Sequence, residues 1–226
     1  MSPAAAIIFD MDGLMVDTEA MAIDAWQAAA RAEGVEISKA LCIGMIGLNQ
    51  RDSEHLLFNT LGAAFPLELV RDRYLRILRE RLEAGHVNAK RGLCDLLDIL
   101  ESNNVPKAVA TSSGREEAVM KLRAINVLHR FSVIVTAEQV AHGKPAPDLF
   151  LLAASELGIA ASLCTVLEDS EAGIRAAYAA GMRPLLVPDI NPPSAAIARL
   201  AAKVFPTLTE VHHFLAQEYT AKANLV

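Results

Sequence analysis

Apolar residues occur along the chain in two patterns, short unbroken runs and longer stretches with helical spacing. The first run, residues 4–9, is apolar and partly β-branched, which is typical of a buried parallel strand. The spacing then becomes helical, with Thr18 as the predicted N-cap and an apolar stripe that ends at Gly34. Residues 51–61 and 66–84 repeat the helical spacing. The pattern predicts one strand followed by an all-helical segment.

From Gly92 onward, helical and strand patterns alternate. Helices are predicted at 93–100, 116–125, 147–157 and 171–180, and strands at 107–110, 132–135, 164–167 and 185–187. This alternation predicts an α/β fold with a doubly wound parallel sheet. Residues 1–17 and 88–226 would form the core, and residues 18–87 a smaller helical domain inserted after the first strand, as lids are attached. The tail, residues 216–226, shows only the pattern of a frayed C-terminus.

The first strand leads directly into two carboxylates, Asp10 and Asp12. Side chains two residues apart in extended chain point the same way, so both would face one pocket while Met11 turns back into the protein. Gly13 lets the backbone turn sharply after them. Two like charges this close repel each other unless a cation lies between them, and magnesium is the natural partner.

The second strand of the alternating region ends in Thr111 and Ser112. A hydroxyl and turn amides beside a helix start can bind an anion. Ser113 followed by Glu116 also fits a capping box, and one loop can serve both purposes.

Two further strand ends carry charge. Lys144 lies in a stretch that two prolines stiffen, where it could neutralise carboxylates and hold a phosphate, although a surface lysine is the usual finding. Glu168 and Asp169 follow the next strand, and their alternative role is a negatively charged helix start. Because the carboxyl ends of parallel strands share one edge of a sheet, these groups would meet Asp10 and Asp12 there.

Composition excludes several classes of function. The 226 residues are 53% hydrophobic, and 21 basic against 27 acidic residues give a net charge of -6. We therefore expect neither nucleic acid nor a membrane as a partner. Cys42, Cys94 and Cys164 are odd in number and have no metal-like spacing, which indicates reduced thiols in a cytoplasmic protein.

The four motifs together resemble the haloacid dehalogenase-like superfamily, in its phosphatase and phosphomutase branch with a helical cap. They are Asp10-Met11-Asp12-Gly13, Thr111-Ser112, Lys144-Pro145 and Glu168-Asp169, in the order of the family. The resemblance implies that Asp10 is the nucleophile towards a phosphate monoester and that Asp12 is the acid and base.

The same resemblance implies the ligands. Asp10, the main-chain carbonyl of Asp12 and Asp169 would bind Mg²⁺, with Glu168 in or next to that set of ligands. Thr111, the amide of Ser112 and Lys144 would hold the phosphoryl oxygens.

Within the family, Asp12 favours phosphate esters over halides, because the dehalogenases lack this second aspartate. Sugar-phosphate mutases of the beta-phosphoglucomutase type share every core motif, but they carry a histidine where this chain has Ala22. They also carry a basic pair where it has Ile46 and Gln50. The missing residues favour hydrolysis over transfer between substrates.

We therefore expect a magnesium-dependent phosphatase acting on a small phosphorylated metabolite, with sugar phosphates first and nucleoside monophosphates or phosphoglycolate as rivals. The chain would be a monomer or a weak homo-oligomer. Arg51, in a segment that resembles the family's specificity loop, could contact the substrate, although an arginine in a first helical turn is more often solvated. A non-catalytic binding protein on this scaffold is the alternative from another class, and the intact carboxylate set argues against it.

Overall fold

The structure is a computed structural model that describes residues 4–45, 48, 50–85, 87–189 and 193–223, without the side chains of Gln50, Lys222 and Ala223. Within these residues, a six-stranded sheet has the order β3-β2-β1-β4-β5-β6. The strands are β1 (Ala6–Phe9), β2 (Lys107–Thr111), β3 (Val133–Thr136), β4 (Cys164–Glu168), β5 (Arg183–Leu186) and β6 (Lys203–Val204). All neighbours are parallel, which confirms the predicted α/β fold.

Helices surround this sheet and fill the segment that follows β1. They are α1 (Glu19–Ala32), α2 (Lys39–Met45), α3 (Gln50–Leu61), α4 (Leu67–Glu83), α5 (Leu93–Ser102), α6 (Arg115–Ala124), α7 (Asp148–Leu157), α8 (Glu171–Ala179), α9 (Ala195–Leu200) and α10 (Leu208–Ala223). No described helix has both the length and the apolar character that crossing a bilayer requires.

The central strand β1 is buried on both faces, as expected for a parallel sheet covered by helices. Ile7 and Phe9 belong to the apolar cluster on one face, which includes residues of α5 and α10. Ala6 and Ile8 belong to the cluster on the other face, with residues of α7 and α8. Strand alternation thus divides one apolar run between two helical layers.

The helices α1 to α4 lie in the chain between β1 and α5, where the sequence predicts an inserted segment. Helix α1 packs against α4, and the rings of Trp26 and Tyr74 stack with their centroids 4.6 Å apart. Their apolar residues continue the cluster that covers one sheet face. Helix α4 also contacts α6 of the sheet layers.

Four elements were not predicted, namely α2, α9, β6 and α10. Strand β6 has two exposed residues, which is too short for a periodic signal. The prediction of a frayed tail was wrong as far as Ala223, because α10 extends to that residue. Leu208, Val211, Leu215 and Tyr219 are buried along it at helical spacing, so the sequence did contain the signal.

Candidate active site

A cavity of about 480 Å³ opens at the carboxyl ends of the central strands. The strand order reverses at β1, because β2 and β3 lie on one side of it and β4 to β6 on the other, and ligands bind at such a point in these folds. Six residues predicted from the sequence line the cavity together, and we call them the floor: Asp10, Asp12, Thr111, Ser112, Lys144 and Asp169. Glu168 lies immediately behind them and is fully buried.

Three floor-side carboxylates form a compact acidic group. Oxygen atoms of Asp10, Glu168 and Asp169 all lie within 4.8 Å of one another. Lys144, at 3% exposure, donates hydrogen bonds to Asp10 and, at 2.6 Å, to Oε1 of Glu168. One ammonium therefore faces three carboxylates in a buried space, which leaves a net negative charge there. Oxygen donors with this surplus charge are the set that a hard divalent cation requires.

The pKa values of this group show the same imbalance. Burial raises the pKa of Asp10 to about 7, against the opposing charge of Lys144 and with the charge of Glu168 adding to the rise. Burial, together with the charges of Glu168 and Asp10, also raises the pKa of Asp169 well above its ordinary value. A cation between these oxygens would favour their ionised forms.

Two glycines leave space for the acidic group. A Cβ atom at Gly13, where φ is +80°, would lie 2.2 Å from Oδ2 of Asp169. A Cβ atom at Gly173 would lie 1.7 Å from Oε1 of Glu168. Gly13 thus serves both the turn predicted after Asp12 and the close approach of a carboxylate that the sequence did not indicate.

Asp12 faces the same cavity but belongs to a different network. Its Oδ1 accepts hydrogen bonds from Lys121 at 2.5 Å and Thr18 at 3.0 Å, and its Oδ2 accepts one from Ser113 at 2.8 Å. Burial opposes ionisation of Asp12, but the Lys121 charge and these hydrogen bonds lower its pKa below the ordinary value. Met11 between the two aspartates is fully buried, as the alternation predicts.

This network corrects two predictions about helix capping. Thr18 does occupy the N-cap position of α1, but its side chain makes no capping hydrogen bond and donates to Asp12 instead. The capping box at Ser113 is absent, because α6 begins after Gly114 and the Ser113 hydroxyl also donates to Asp12. Both hydroxyls position a carboxylate rather than a helix end.

Thr111 and Ser112 follow β2 at the floor. Thr111 is buried, and its hydroxyl oxygen accepts a hydrogen bond from the amide of Ser113 at 3.1 Å. The hydroxyl of Ser112 is buried without a partner among the described residues. A hydroxyl that is buried without a partner beside turn amides is suited to an anionic oxygen from a ligand.

Side chains of α1 to α4, together with Leu48 between α2 and α3, line a large part of the cavity, and we call them the wall. It includes Ile23, Trp26, Cys42, Met45, Leu48, Ser53, Glu54, Leu57, Leu67, Arg71, Asp72, Tyr74 and Leu75. Tyr74 donates a hydrogen bond to Glu117 of α6 at 3.0 Å, and Glu117 pairs with Lys121 at 2.5 Å. A continuous polar chain therefore connects the wall to Asp12.

The arginine that lines the described part of the cavity is Arg71, whereas Arg51 is exposed and is not among the lining residues. Arg71 pairs with Glu54 at 3.2 Å and with Glu68 at 2.6 Å. Ala22, which was compared with the histidine of the mutases, also lines the cavity. Ile46 and the side chain of Gln50 lie outside the described residues.

Sequence reasoning missed Lys121 and Glu19. Lys121 is buried on α6, where no motif marks it. Glu19 lines the cavity at 7% exposure, and its Oε2 has no hydrogen-bond partner within the described part of the chain. Burial and the charge of Asp189 raise the pKa of Glu19 to about 7. The available signal was its position directly after Thr18, six residues beyond Gly13 of the first motif.

Comparisons with known proteins agree with this architecture. A family model described as haloacid dehalogenase-like hydrolase matches residues 7–187. The chain is 30% identical over 177 residues to the phosphorylated carbohydrates phosphatase of Thermotoga maritima, covering 78% of this chain and 82% of that protein. It is 32% identical over 181 residues to the fructose-1-phosphate phosphatase YqaB of Escherichia coli, covering 79% and 93%.

A mutase is also similar. The beta-phosphoglucomutase of Bacillus subtilis is 30% identical over 185 residues, covering 78% of this chain and 80% of that protein. Among solved structures, CbbY from Rhodobacter sphaeroides in complex with phosphate superimposes with a TM-score of 0.81 at 24% identity, covering 92% and 96%, which supports the fold. The chain belongs to the haloacid dehalogenase-like hydrolase family, and its relatives named as phosphatases confirm the predicted enzyme class.

Proposed function

We propose that this haloacid dehalogenase-like hydrolase is a magnesium-dependent phosphatase that cleaves a small phosphate monoester through an aspartyl-phosphate intermediate. The observation that carries the proposal is the position of Asp10. It directly follows the central strand and lines a cavity of small-metabolite size, next to the ammonium of Lys144 and the carboxylates of Glu168 and Asp169. Sugar phosphates are the first substrate class, since relatives are named as phosphatases of fructose 1-phosphate and of phosphorylated carbohydrates.

In the first step, an Asp10 oxygen attacks phosphorus, the new P–O bond forms, and the bond to the alcohol oxygen breaks. Lys144, the Thr111 hydroxyl and the Ser112 amide would hold the phosphoryl oxygens as charge develops. In the second step, water attacks phosphorus and releases phosphate from Asp10. Asp12 would give a proton to the departing alcohol and take one from the water.

The hydrogen bonds of Asp12 bear on these proton transfers. Three donors hold it, and its lowered pKa favours the ionised form that water activation needs. The acid step needs the protonated form, which the Lys121 ion pair opposes. We therefore expect the substrate to displace at least one of the three donors before the ester bond breaks.

Asp10, Glu168 and Asp169 fit a magnesium ion by donor type, proximity and surplus charge, and the main-chain carbonyl of Asp12 would complete the protein ligands. When bound, the ion would neutralise charge on the phosphoryl oxygens and orient them towards Asp10. It would also keep Asp10 ionised near neutral pH, which a nucleophile requires.

A sugar-phosphate mutase is the second candidate, because a beta-phosphoglucomutase is among the relatives. A mutase must protect the phosphorylated enzyme from water. Ala22 lines the cavity where the mutases carry a histidine, and a methyl group cannot exchange protons with a sugar hydroxyl. This residue supports hydrolysis.

We also propose that residues 18–87 act as the cap domain that covers the floor.

The test is phosphate release from a panel of sugar phosphates and nucleotides, with magnesium or with a chelator, using Asp10→Asn as the matched variant. We expect magnesium-dependent release that falls by at least about 10⁴-fold in the variant. Conversion of a sugar phosphate into its isomer, without release of phosphate, would support the mutase. Normal metal binding without turnover of any ester would support the non-catalytic alternative.

A further inference from the structure

The charges around the floor are strongly unbalanced, and this bears on which esters the cavity accepts. Besides Asp10, Asp12 and Asp169, six lining residues are carboxylates, namely Glu19, Glu54, Asp72, Glu116, Glu117 and Glu138, and we call them the acidic set. The cations among the described lining residues are Arg71, Lys121 and Lys144. Glu116 also pairs with Arg79, which is not among the lining residues. Carboxylates still outnumber cations by nine to three among the described lining residues.

Each of these cations is already paired with two carboxylates. Lys144 contacts Asp10 and Glu168, and in the proposed function it serves the transferred phosphoryl group.

The other two cations are equally engaged. Lys121 lies 2.5 Å from both Asp12 and Glu117. Arg71 lies 3.2 Å from Glu54 and 2.6 Å from Glu68. A second anionic group on a substrate would have to break one of these pairs or remain unpaired.

An unpaired anion inside this cavity would be unfavourable for two reasons. It would lose hydration without gaining a cation, and it would be repelled by the acidic set. Neutral hydroxyl groups face neither cost, because carboxylates accept hydrogen bonds from them. Trp26 and Leu75 of the wall offer apolar surface against which the C–H groups of such a molecule can pack.

We infer that the cavity selects phosphate monoesters whose leaving alcohol is neutral and hydroxylated. We infer equally that it rejects esters that carry a further anionic group, either a carboxylate or a second phosphate. The inference rests on the proposed function and narrows it: phosphoglycolate and sugar bisphosphates become poor substrates, and phosphates of neutral sugars and polyols good ones. Selection comes from the surplus of carboxylates over cations, and from the engagement of every described lining cation with carboxylates, rather than from shape.

The test compares pairs of esters that differ in one group. Glycol phosphate is compared with phosphoglycolate, glycerol 3-phosphate with 3-phosphoglycerate, and glucitol 6-phosphate with 6-phosphogluconate. In each pair a hydroxymethyl group replaces a carboxylate at similar size. We expect kcat/KM to favour the neutral member by at least about tenfold, and the ratio to shrink as salt rises. Equal values, or a preference for the carboxylate, would overturn the inference.

A third arm separates charge from size. Glucosamine 6-phosphate replaces one hydroxyl of glucose 6-phosphate with an ammonium. Charge selection predicts that the cationic ester is used at least as well as the neutral one. If the ammonium is rejected as strongly as the carboxylates, the discrimination is steric and the inference is wrong.

Asp72→Asn tests the acidic set, with Asp24→Asn as the matched control. Both aspartates are exposed residues on α1 to α4, but Asp72 lines the cavity and Asp24 is not among the lining residues. We expect Asp72→Asn to reduce the ratio within each pair at least about threefold and Asp24→Asn to leave it unchanged. Equal effects of the two variants would contradict a local charge.

Binding provides a readout that does not need turnover. The same pairs are titrated into the Asp10→Asn variant, and the shift in melting temperature is followed. A larger shift with the neutral members supports the inference even if no ester is hydrolysed, in which case only the proposed function fails. Equal shifts within every pair contradict the inference whether or not the enzyme is active.

Discussion

The floor and the wall of the cavity are built in different ways. The floor residues follow the ends of strands or lie in loops, and the buried pair Asp10 and Lys144 is bound together, with Lys144 also bound to Glu168 behind the floor. The wall consists of helical side chains, many of them apolar, and its charged residues keep contact with solvent, as Arg71 and Asp72 do. The backbone therefore fixes the groups that the proposed mechanism uses, while side-chain packing shapes the surface that would contact the rest of a substrate.

This contrast also separates the two aspartates of the first motif. Asp10 belongs wholly to the floor, and burial raises its pKa to about 7. Asp12 is connected through Lys121 and Glu117 to Tyr74 of the wall, and the Lys121 charge lowers its pKa against burial. Two carboxylates two residues apart are thus shifted in opposite directions, because different elements face them.

The largest effect is expected from Lys144→Met, which removes the ammonium that contacts Asp10 and Glu168. Turnover should fall by about 10³-fold, as for loss of a group that stabilises the transition state. The free energy of unfolding should also fall by about 3 kcal/mol, because buried carboxylates lose their partner. Kinetics and denaturant unfolding measure the two effects.

Lys107→Met is the control for this variant. Lys107 pairs with Glu101 at 2.9 Å at the opposite end of β2. We expect a loss of at most about 1 kcal/mol there and normal turnover. Similar losses of turnover in the two variants would show that Lys144 has no special place in the floor.

The next effect is a pH dependence assigned to Glu19. Its pKa rises from 4.5 to about 7 on folding, so the folded state holds a proton that the unfolded state has lost between these values. The contribution to stability is complete below pH 4.5 and falls as the pH rises to about 7, by at most about 1.4 kcal/mol per pH unit.

Unfolding of the wild type and Glu19→Gln in chelator, measured from pH 4.5 to 8, checks this dependence. Glutamine cannot ionise, so the variant should gain stability relative to the wild type as the pH rises to about 7. A difference between the two proteins that stays constant over this range would contradict the raised pKa.

A smaller effect is expected where the wall meets the floor. Tyr74→Phe removes the hydrogen bond to Glu117 but keeps the stack on Trp26. The free energy of unfolding should fall by about 1 kcal/mol. A double-mutant cycle with Glu117→Gln, followed in both stability and kcat, measures the coupling. Purely additive effects would show that the polar chain does not connect the wall to Asp12.

The smallest effect is expected at Arg51, the substrate contact that the sequence allowed. Arg51 is exposed on α3, whereas Arg71 lines the cavity. Arg51→Ala should change KM by less than about threefold, as for a solvated charge. A larger rise in KM than Arg71→Ala produces would return Arg51 to the substrate site.

The difference between the floor and the wall also explains which residues the sequence could predict. Asp10, Thr111 and Glu168 each end a short apolar run, so strand pattern and parallel topology together brought them to one edge. Lys121 could not be found in this way, because its contact with Asp12 depends on where α6 lies relative to the turn after β1. Nor could the sequence identify Arg71, because it lies on a helix as Arg51 does and only packing determines which one lines the cavity.

Some incorrect predictions concern patterns that the chain does carry. The spacing of Leu208, Val211, Leu215 and Tyr219 is helical, so it predicts α10 rather than a frayed end. Thr18 and Ser113 were interpreted by local capping rules, but both hydroxyls bind Asp12. Local rules fail at these two positions because each hydroxyl is placed to donate to the Asp12 carboxylate rather than to accept from a helix amide.

The most direct test of the central claim is chemical identification of the phosphorylated residue. The enzyme is mixed with a good substrate and magnesium, quenched in acid during the first turnover and reduced with borohydride, which converts an aspartyl phosphate into homoserine. Peptide mass spectrometry then locates the change. The account predicts homoserine at the position of Asp10 and none in Asp10→Asn. Homoserine at another aspartate, or phosphate release with every aspartate intact, would contradict it.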